Sequence, residues 1–345
     1  MSHVWLVSVI VGDSLTGIQY SDYKGCAEEI SNLACQTVLL VCLCCIALQS
    51  CHRATLKVRF HTSGHIRGVA YLDDSVSKIY AICENWNTIS VFHAVPPYEQ
   101  LRGIHVSGLR DPTDMAACPT NMLLYVADRA EGCVWQVTTG GKVDWRLPTW
   151  SPIKRKASAV CPVSLSVRFG RLALVETGRI AIYDPHDDKA DAIEFPDSVT
   201  LHHATETDHH SVLVALSDIN ADTSGSTIQE MHKAGDGTWC PTREWNLNNS
   251  VTSQMRINQP LYMALDQLGL VYVVIRDSHK VLVLDNTLNM TQTVLLGRRS
   301  VPGRLCLLAP KRKLFLVADA GSAVNVYDAA FPAVEYTKRR RYVTL

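Results

Sequence analysis

The ten residues LHHATETDHH at 201–210 gather His202, His203, Glu206, Asp208, His209 and His210, the densest run of metal-ligand types in the chain. Zinc would need four such groups converging as a tetrahedron. The texture around His202 and His203 is that of a strand, on which neighbours point to opposite faces, and the other four residues are expected in the turn beyond it. No single ion is expected to draw them together, which leaves a solvated turn and a His203 whose only ligating partner would come from elsewhere in the chain. Cys42 and Cys45 form one CxxC spacing with no second pair, inside an apolar segment that cannot wrap four ligands around a metal. Patterns of the HExxH, GxSxG and phosphate-loop kinds are absent. The motifs therefore imply no catalytic residue, no metal and no cofactor.

What would have to position any such residues is a chain of 345 amino acids with 33 Lys+Arg against 33 Asp+Glu, 47% hydrophobic and 19% charged. That balance excludes wholesale disorder and a polytopic membrane protein, and it argues against a dedicated nucleic-acid binder. Of the 12 cysteines, six crowd between Cys26 and Cys51. Residues 30–51 carry no charge, and their centre, TVLLVCLCCIAL at 37–48, is long enough as a helix to cross the hydrocarbon of a bilayer. Glu28 and Glu29 precede it while His52, Arg53, Lys57 and Arg59 follow, so the positive-inside rule places the downstream chain in the cytoplasm. A secretory signal, which would make the protein secreted, and a buried or partner-binding helix are the competing readings; the missing basic n-region weakens the former. Palmitoylation at Cys51 would suit the end of such a helix.

Beyond residue 60 a unit recurs: a short apolar strand, a turn, a stronger apolar strand, a polar turn and a third, alternating strand. The second strands read KIYAIC at 78–83, LLYVAD at 123–128, RLALVE at 171–176, SVLVAL at 211–216, LVYVVI at 270–275 and LFLVAD at 314–319. The third strands read TISVFH at 88–93, CVWQV at 133–137, RIAIYD at 179–184, TIQEM at 227–231, KVLVLD at 280–285 and AVNVYD at 323–328. Four first strands are entered at Pro112, Pro162, Pro260 and Pro302, where a residue without an amide donor is tolerated, while Ile66 and Thr200 stand at the other two entries. Six units over residues 65–331 give a period of about 44, with four short strands each, the signature of an all-β, six-bladed propeller of four-stranded antiparallel blades. Closure is expected from LKVRFH at 56–61 as the outer strand of the sixth blade. The organisation expected is an N-terminal segment over 1–53 with its helix at about 30–51, a ring over 54–335, and a basic tail over 336–345.

The proline entry, the IYVAD-like second strand and the xVxVYD-like third strand resemble NHL repeats of the TolB-like superfamily, over about 270 residues of this chain. The fourth unit, with INADTSGST inserted at 219–227, departs most from the pattern. The resemblance implies a binding ring that recognises proteins or structured RNA. No RING or B-box arrangement of Cys and His accompanies it, so ligase activity is not expected.

Turns between second and third strands, with the entries to first strands, would share one face of such a ring, the expected binding surface. It would present Glu84, Asn85, Trp86, Arg110, Asp111, Asp128, Arg129, Glu176, Arg276, Asp277, His279 and Asp319. Mixed signs suit a polypeptide better than a polyanion, and solvated loop polarity is the plainer reading of the same residues. Six-bladed lactonases and esterases suggest a second function, a calcium-dependent hydrolase, for which Glu84, Asn85, Asp128, Glu176 and Asp319 would supply oxygens. RNA binding is the third; residues 298–345 hold ten Lys/Arg, but split between two faces and a tail and without interleaved aromatics. The sequons at Asn248 and Asn289 matter only outside the cell. The leading expectation is a non-enzymatic protein-binding scaffold anchored at a membrane through residues 30–51.

Overall fold

The chain divides into two compact units, Met1–Ser50 and Cys51–Leu345. The computed structural model describes residues 51–328 of the second unit, apart from 63, 74–75, 140–142, 149–160, 185–189, 219–225, 247–260, 276–278, 297–301, 309–313 and 320. The segment expected as a helix lies outside the described residues except for Cys51, and Cys51 is in a strand, so the helix does not extend that far. No helix among the described residues is long and apolar enough to cross a membrane. The basic tail also lies outside the described residues.

The unit starts with β1 (Cys51–Arg53) and β2 (Thr55–His61). One sheet follows from β3 (Ile66–Leu72), β4 (Lys78–Cys83), β5 (Thr88–His93) and β6 (Gln100–His105). The next is β7 (Pro112–Cys118), β8 (Leu123–Asp128), β9 (Cys133–Thr138) and β10 (Val143–Pro148). A third is β11 (Ser164–Arg168), β12 (Arg171–Glu176), β13 (Arg179–Tyr183) and β14 (Ala190–Glu194). A fourth has the longest strands, β15 (Val199–Asp208), β16 (Ser211–Asp218), β17 (Ser226–Lys233) and β18 (Trp239–Asn246). Then come β19 (Tyr262–Leu265), β20 (Val271–Ile275), β21 (Lys280–Leu284) and β22 (Met290–Leu295), and finally β23 (Pro302–Leu308), β24 (Leu314–Asp319) and β25 (Ala323–Asp328). Within each sheet consecutive strands pair antiparallel, as alternating segments joined by short turns must.

Burial explains why the second strands are continuous apolar runs. β8 is buried at every position and β16 at all but its last, because each of these strands has a neighbouring sheet on both faces. Outer strands β6 and β14 keep the in-out alternation of an exposed edge. Apolar clusters fill each seam between neighbouring sheets; Leu124 and Trp135 pack against Ile82 and Ile89 in one, and Leu213 and Trp245 against Val273 and Leu284 in another. The innermost strands contact one another in the order β3, β7, β11, β15, β19, β23 and back to β3, so the arrangement closes.

Closure uses β2 as expected. It pairs antiparallel with β25, with Thr55 opposite Asp328 and His61 opposite Ala323, as the outer strand of the sheet built from β23, β24 and β25. The sheets are not uniform, however. Five have four strands, but β1 adds to β22 in parallel and makes the remaining sheet five-stranded. The reason is geometric: Ala54 alone separates β1 from β2, and its amide donates to Leu295 O at 3.1 Å while its side chain enters the seam between the two sheets. Residues 51–61 thus stitch the first described strand pair across two neighbouring sheets. Prolines sit where a missing amide is tolerated, Pro112 and Pro302 as first residues of β7 and β23, and Pro162 just before β11. Pro260 lies outside the described residues.

Candidate functional site

The third residue of the first-strand entries lies at the centre of the ring, except in β15, where the register shift between Leu201 and His203 brings the fourth residue there. Counting from Pro112, Pro162 and Pro302 this gives Asp114, Ser164 and Arg304; the corresponding positions in the other sheets are Gly68, His203 and Tyr262. Register shifts at Ile66/Gly68, Pro112/Asp114, Leu201/His203 and Pro302/Arg304 mark the same place in four sheets. A bulge turns one side chain out of the pleat, and here it aims that side chain inward. Gly68 is required by close approach: a Cβ there would lie 2.4 Å from Met115 N.

Asp114, Ser164, His203 and Arg304 form one hydrogen-bonded layer, against which the Tyr262 ring packs. Ser164 Oγ lies 2.6 Å from Asp114 Oδ2 and 2.6 Å from His203 Nδ1. Asp114 also accepts from Leu165 N and Met115 N, each at 2.9 Å, and from Arg304 Nε at 3.1 Å. Arg304 donates to Arg67 O and Thr113 O, each at 2.9 Å, and its guanidinium stacks 3.4 Å from the Tyr262 ring centre. The edge of His203 meets the same ring. Asp114, Ser164 and His203 are buried, and burial pushes the His203 pKa down to about 4, so the imidazole is neutral near pH 7.

A carboxylate, a hydroxyl and an imidazole in contact suggest acyl transfer, but their order is wrong for it. A nucleophile–base–orienter relay places the imidazole between the other two groups. Here the hydroxyl of Ser164 is in the middle, donating to Asp114 Oδ2 and meeting His203 Nδ1 through its oxygen, and the carboxylate is occupied by backbone amides and Arg304. The arrangement joins neighbouring sheets near the axis.

A cavity of about 550 Å³ extends from this layer toward the turns between first and second strands. Its walls come from all the first strands, with Val69, Met115, Leu165, Met263 and Leu305 supplying apolar surface, His203 at the inner end, and Arg168, Phe169, Asp266 and Gln267 at the mouth.

The expected face lies at the opposite end of the sheets. Glu84 pairs with Arg67, Asp111 with Arg129 at 2.8 Å, and Arg110 with Glu131 at 3.1 Å. Asp128 is fully buried and accepts from the amides of Arg110, Asp111, Ala130 and Glu131 and from Trp135 Nε1, so it builds a turn. Glu176 is buried against Arg179, and burial raises its pKa against the pull of that guanidinium. Asn85 and His279 hold positive φ in their turns, and Trp86 is exposed. Asp319 ends β24; Arg276 and Asp277 fall outside the described residues. None of those whose side chains are described lines the cavity.

The cluster at 201–210 is divided as its strand pattern required, except that Glu206 and Asp208, expected in the turn, both belong to β15. His202 Nε2 meets Ser217 Oγ at 2.9 Å, away from His203, and His209 and His210 are exposed. Glu206, expected in the turn, is instead inside β15, because that strand runs to Asp208; it is buried beside Arg171 at 3.1 Å, with a pKa raised by burial to about 7. Among the described residues no three His, Cys, Asp or Glu side chains are placed to hold a metal. Among the cysteines of the ring, Cys83, Cys118 and Cys133 are buried, whereas Cys240 is exposed because β18 is an outer strand.

Solved structures share this architecture. One is a Kuenenia stuttgartiensis hydrazine synthase chain, 13% identical with a TM-score of 0.54. Another is virginiamycin B lyase from Staphylococcus aureus, 9% identical at 0.53. A third is the Cps50 (Swd1) β-propeller domain of Myceliophteria thermophila, 12% identical at 0.55. Each match covers 80% of this chain and 99% of the other. The fold is a β-propeller. At such identities the likeness extends to the fold alone. No family model matches the chain, and no curated protein does.

Proposed function

We propose that this propeller is a non-enzymatic protein-binding scaffold, six-bladed and NHL-like, with the five-stranded sheet counted as a blade that carries one annexed strand. The observation that carries the binding reading is the distribution of exposed apolar side chains. Val76, Phe169 and Leu268 occupy first-to-second-strand turns of three different sheets, and Phe169 is 50% exposed. Val95, in a third-to-fourth-strand turn, emerges at the same end at 55%. Apolar surface gathered on one end, among Asp73, Arg168, Asp208 and Asp266, is the composition of a protein-binding patch with a charged rim. The end bearing Glu84 and Arg129 is instead consumed by its own ion pairs, which makes it the weaker surface for a partner.

The test pairs two variants verified as folded by circular dichroism: Phe169→Ser/Leu268→Ser at one end and Trp86→Ala/Arg129→Ala at the other. A partner identified by crosslinking and then purified is expected to lose affinity at least about tenfold for the first variant and to keep it for the second. The reverse pattern would return the site to the other face.

The buried, carboxylate-bound Ser164 supports the absence of catalysis. A calcium-dependent hydrolase predicts stoichiometric calcium binding lost in Glu176→Ala or Asp319→Ala, measured by calorimetry. An RNA-binding role predicts affinity that falls steeply with salt. Residues 30–51 are proposed to hold the propeller at the cytoplasmic side of a membrane, and carbonate-resistant fractionation that is lost on deleting them is the expected result.

A further inference from the structure

β11 turns into β12 through two residues, Phe169 and Gly170, because Arg168 pairs with Arg171. Both hold positive φ, 55° and 77°. Hairpin turns of this kind favour Asn-Gly, since asparagine tolerates the left-handed region whereas a bulky side chain there crowds its own backbone. Phenylalanine thus stands where the local geometry asks for asparagine.

Packing does not account for the choice. Among the described residues Tyr98, Met122 and Leu288 are the other large apolar residues with positive φ, and burial compensates them. Tyr98 packs on the Phe60 ring, Leu288 joins the apolar seam beside Leu284, and Met122 is half-buried. Phe169 is 50% exposed. Its ring is held in place by the Arg168 guanidinium, 5.1 Å from its centre, and by the His209 ring at 5.1 Å, and it lines the mouth of the cavity. Strain that the fold does not need is retained where binding needs it, and a fixed aromatic at the rim of a pocket has the character of an anchor.

The surroundings of Phe169 are acidic. Arg168 is faced by Asp266, Glu206 and Asp208, and Glu206 is already taken by Arg171. Asp208 and Asp266 hold their own turns, accepting from His210 N at 2.7 Å and Leu268 N at 2.8 Å, which leaves two carboxylates beside one guanidinium. The basic residues 311–313 fall between β23 and β24, in the sheet across the ring from β11. Below the mouth the near wall is apolar, from Leu165, Val167, Met263 and Leu265.

We infer that Phe169 is the anchor of the protein-binding end, and that the partner is a basic polypeptide segment whose large apolar side chain enters the channel mouth beside Phe169 while an adjacent lysine or arginine meets Asp208 and Asp266. This role rests on the protein-binding reading of that end and gives it a residue and a partner chemistry.

Three peptides test the chemistry: N-acetyl-Lys-Trp-Lys-amide, N-acetyl-Glu-Trp-Glu-amide and N-acetyl-Lys-Ser-Lys-amide. The full-length chain labelled with ¹³C at methionine methyls reports their binding, with Met263 in the cavity wall and Met290 on β22 as the control. The lysine-tryptophan peptide is expected to shift Met263 saturably, at concentrations at least about threefold below the glutamate peptide, and the serine peptide to leave it in place. Phe169→Asn should raise the concentration needed about five- to tenfold while its melting temperature stays level or rises, and Phe169→Tyr, which keeps the ring, should bind like the parent. The inference is overturned if the lysine-tryptophan peptide gives no saturable shift, if either other peptide binds as well, or if Phe169→Asn binds like the parent. A Phe169→Asn variant that melts below the parent also overturns it, for then the ring serves the fold. With a purified partner, affinity lost in Leu268→Ser and kept in Phe169→Asn removes the anchor and leaves the surface, whereas affinity kept in both removes the surface as well.

Discussion

Ser164 and His203 stand 39 residues apart in the chain and in neighbouring sheets, yet Ser164 Oγ and His203 Nδ1 meet at 2.6 Å on the axis of the ring. The contact is one link in a layer that runs from His203 through Ser164 and Asp114 to Arg304, so that these sheets are tied by polar groups at the centre as well as by apolar seams around it. Directional bonds of this kind fix the rotation of one sheet against another, which non-directional apolar packing leaves loose.

The weakest point of that layer to mutate is its carboxylate. Asp114→Ala leaves the buried Arg304 guanidinium without its anion and two amides without an acceptor, and is expected to cost about 3–5 kcal/mol. Asp114→Leu combined with Arg304→Met, which removes both charges, should recover part of that loss. Urea denaturation of the single and double variants measures the coupling; a double variant no more stable than Asp114→Ala would show that the pair is not linked.

The pH dependence of stability has two opposed components. His202 and His203 have folded pKa values near 4 against an ordinary 6.5, so the unfolded chain takes up more protons and stability falls as pH drops from about 6.5 to about 4. The full effect is about 3 kcal/mol per histidine. Glu206 is raised from 4.5 to about 7, so the folded state holds the extra proton and stability falls as pH rises through that interval. His202→Gln should therefore flatten the acid limb of a plot of melting temperature against pH. Glu206→Gln should raise the melting temperature at pH 8 and have no effect near pH 4.5.

Gly68 sits where β3 approaches β7 most closely. Gly68→Ala would press a methyl onto the Met115 amide, and because the obstacle is backbone it cannot rotate away. Overpacking of this kind costs about 1–3 kcal/mol. The same change at Gly170, where a Cβ would meet nothing within 4 Å but φ is +77°, tests backbone strain without crowding. Gly68→Ala is expected to move the Met115 methyl resonance, and Gly170→Ala to leave it in place.

Ring closure can be tested by moving it. Removing residues 1–61 strips β25 of its partner and should yield an aggregating chain with an open edge. Because Thr55 pairs with Asp328, joining 55–61 after residue 328 through a turn of about two to four residues would restore the sheet. The permutant should be monomeric, with a melting temperature close to that of the parent; an equally well-folded truncation would show that β2 is dispensable. Restoration of β2 without β1 would show in addition whether the fifth strand on β22 matters.

Much of this architecture was legible in local pattern. Runs such as LLYVAD at 123–128 and AVNVYD at 323–328 are strands because their apolar content has no helical period, and the proline entries mark where first strands begin. The pairing of 56–61 with the last unit followed from that unit's missing outer strand. β1 was not legible, since three residues, CHR, carry no period at all and were assigned by adjacency to the apolar stretch before them. The twelve turn residues on the expected face were located by polarity, which does not distinguish Asp128, buried beneath five donors, from an exposed ligand.

The amino-acid sequence determined the strands, their repetition and the edge that closes the ring, since each depends on residues within a few positions of one another. A signal for the central layer was present too, in the aligned third residues Asp114, Ser164 and Arg304, but their types differ and nothing local says that they meet. Only the tertiary structure decided that, because it alone brings Asp114 and Arg304, 190 residues apart, to 3.1 Å. It also decided which end of the ring is hollow, because a cavity is the space left between sheets and no single sheet encodes it.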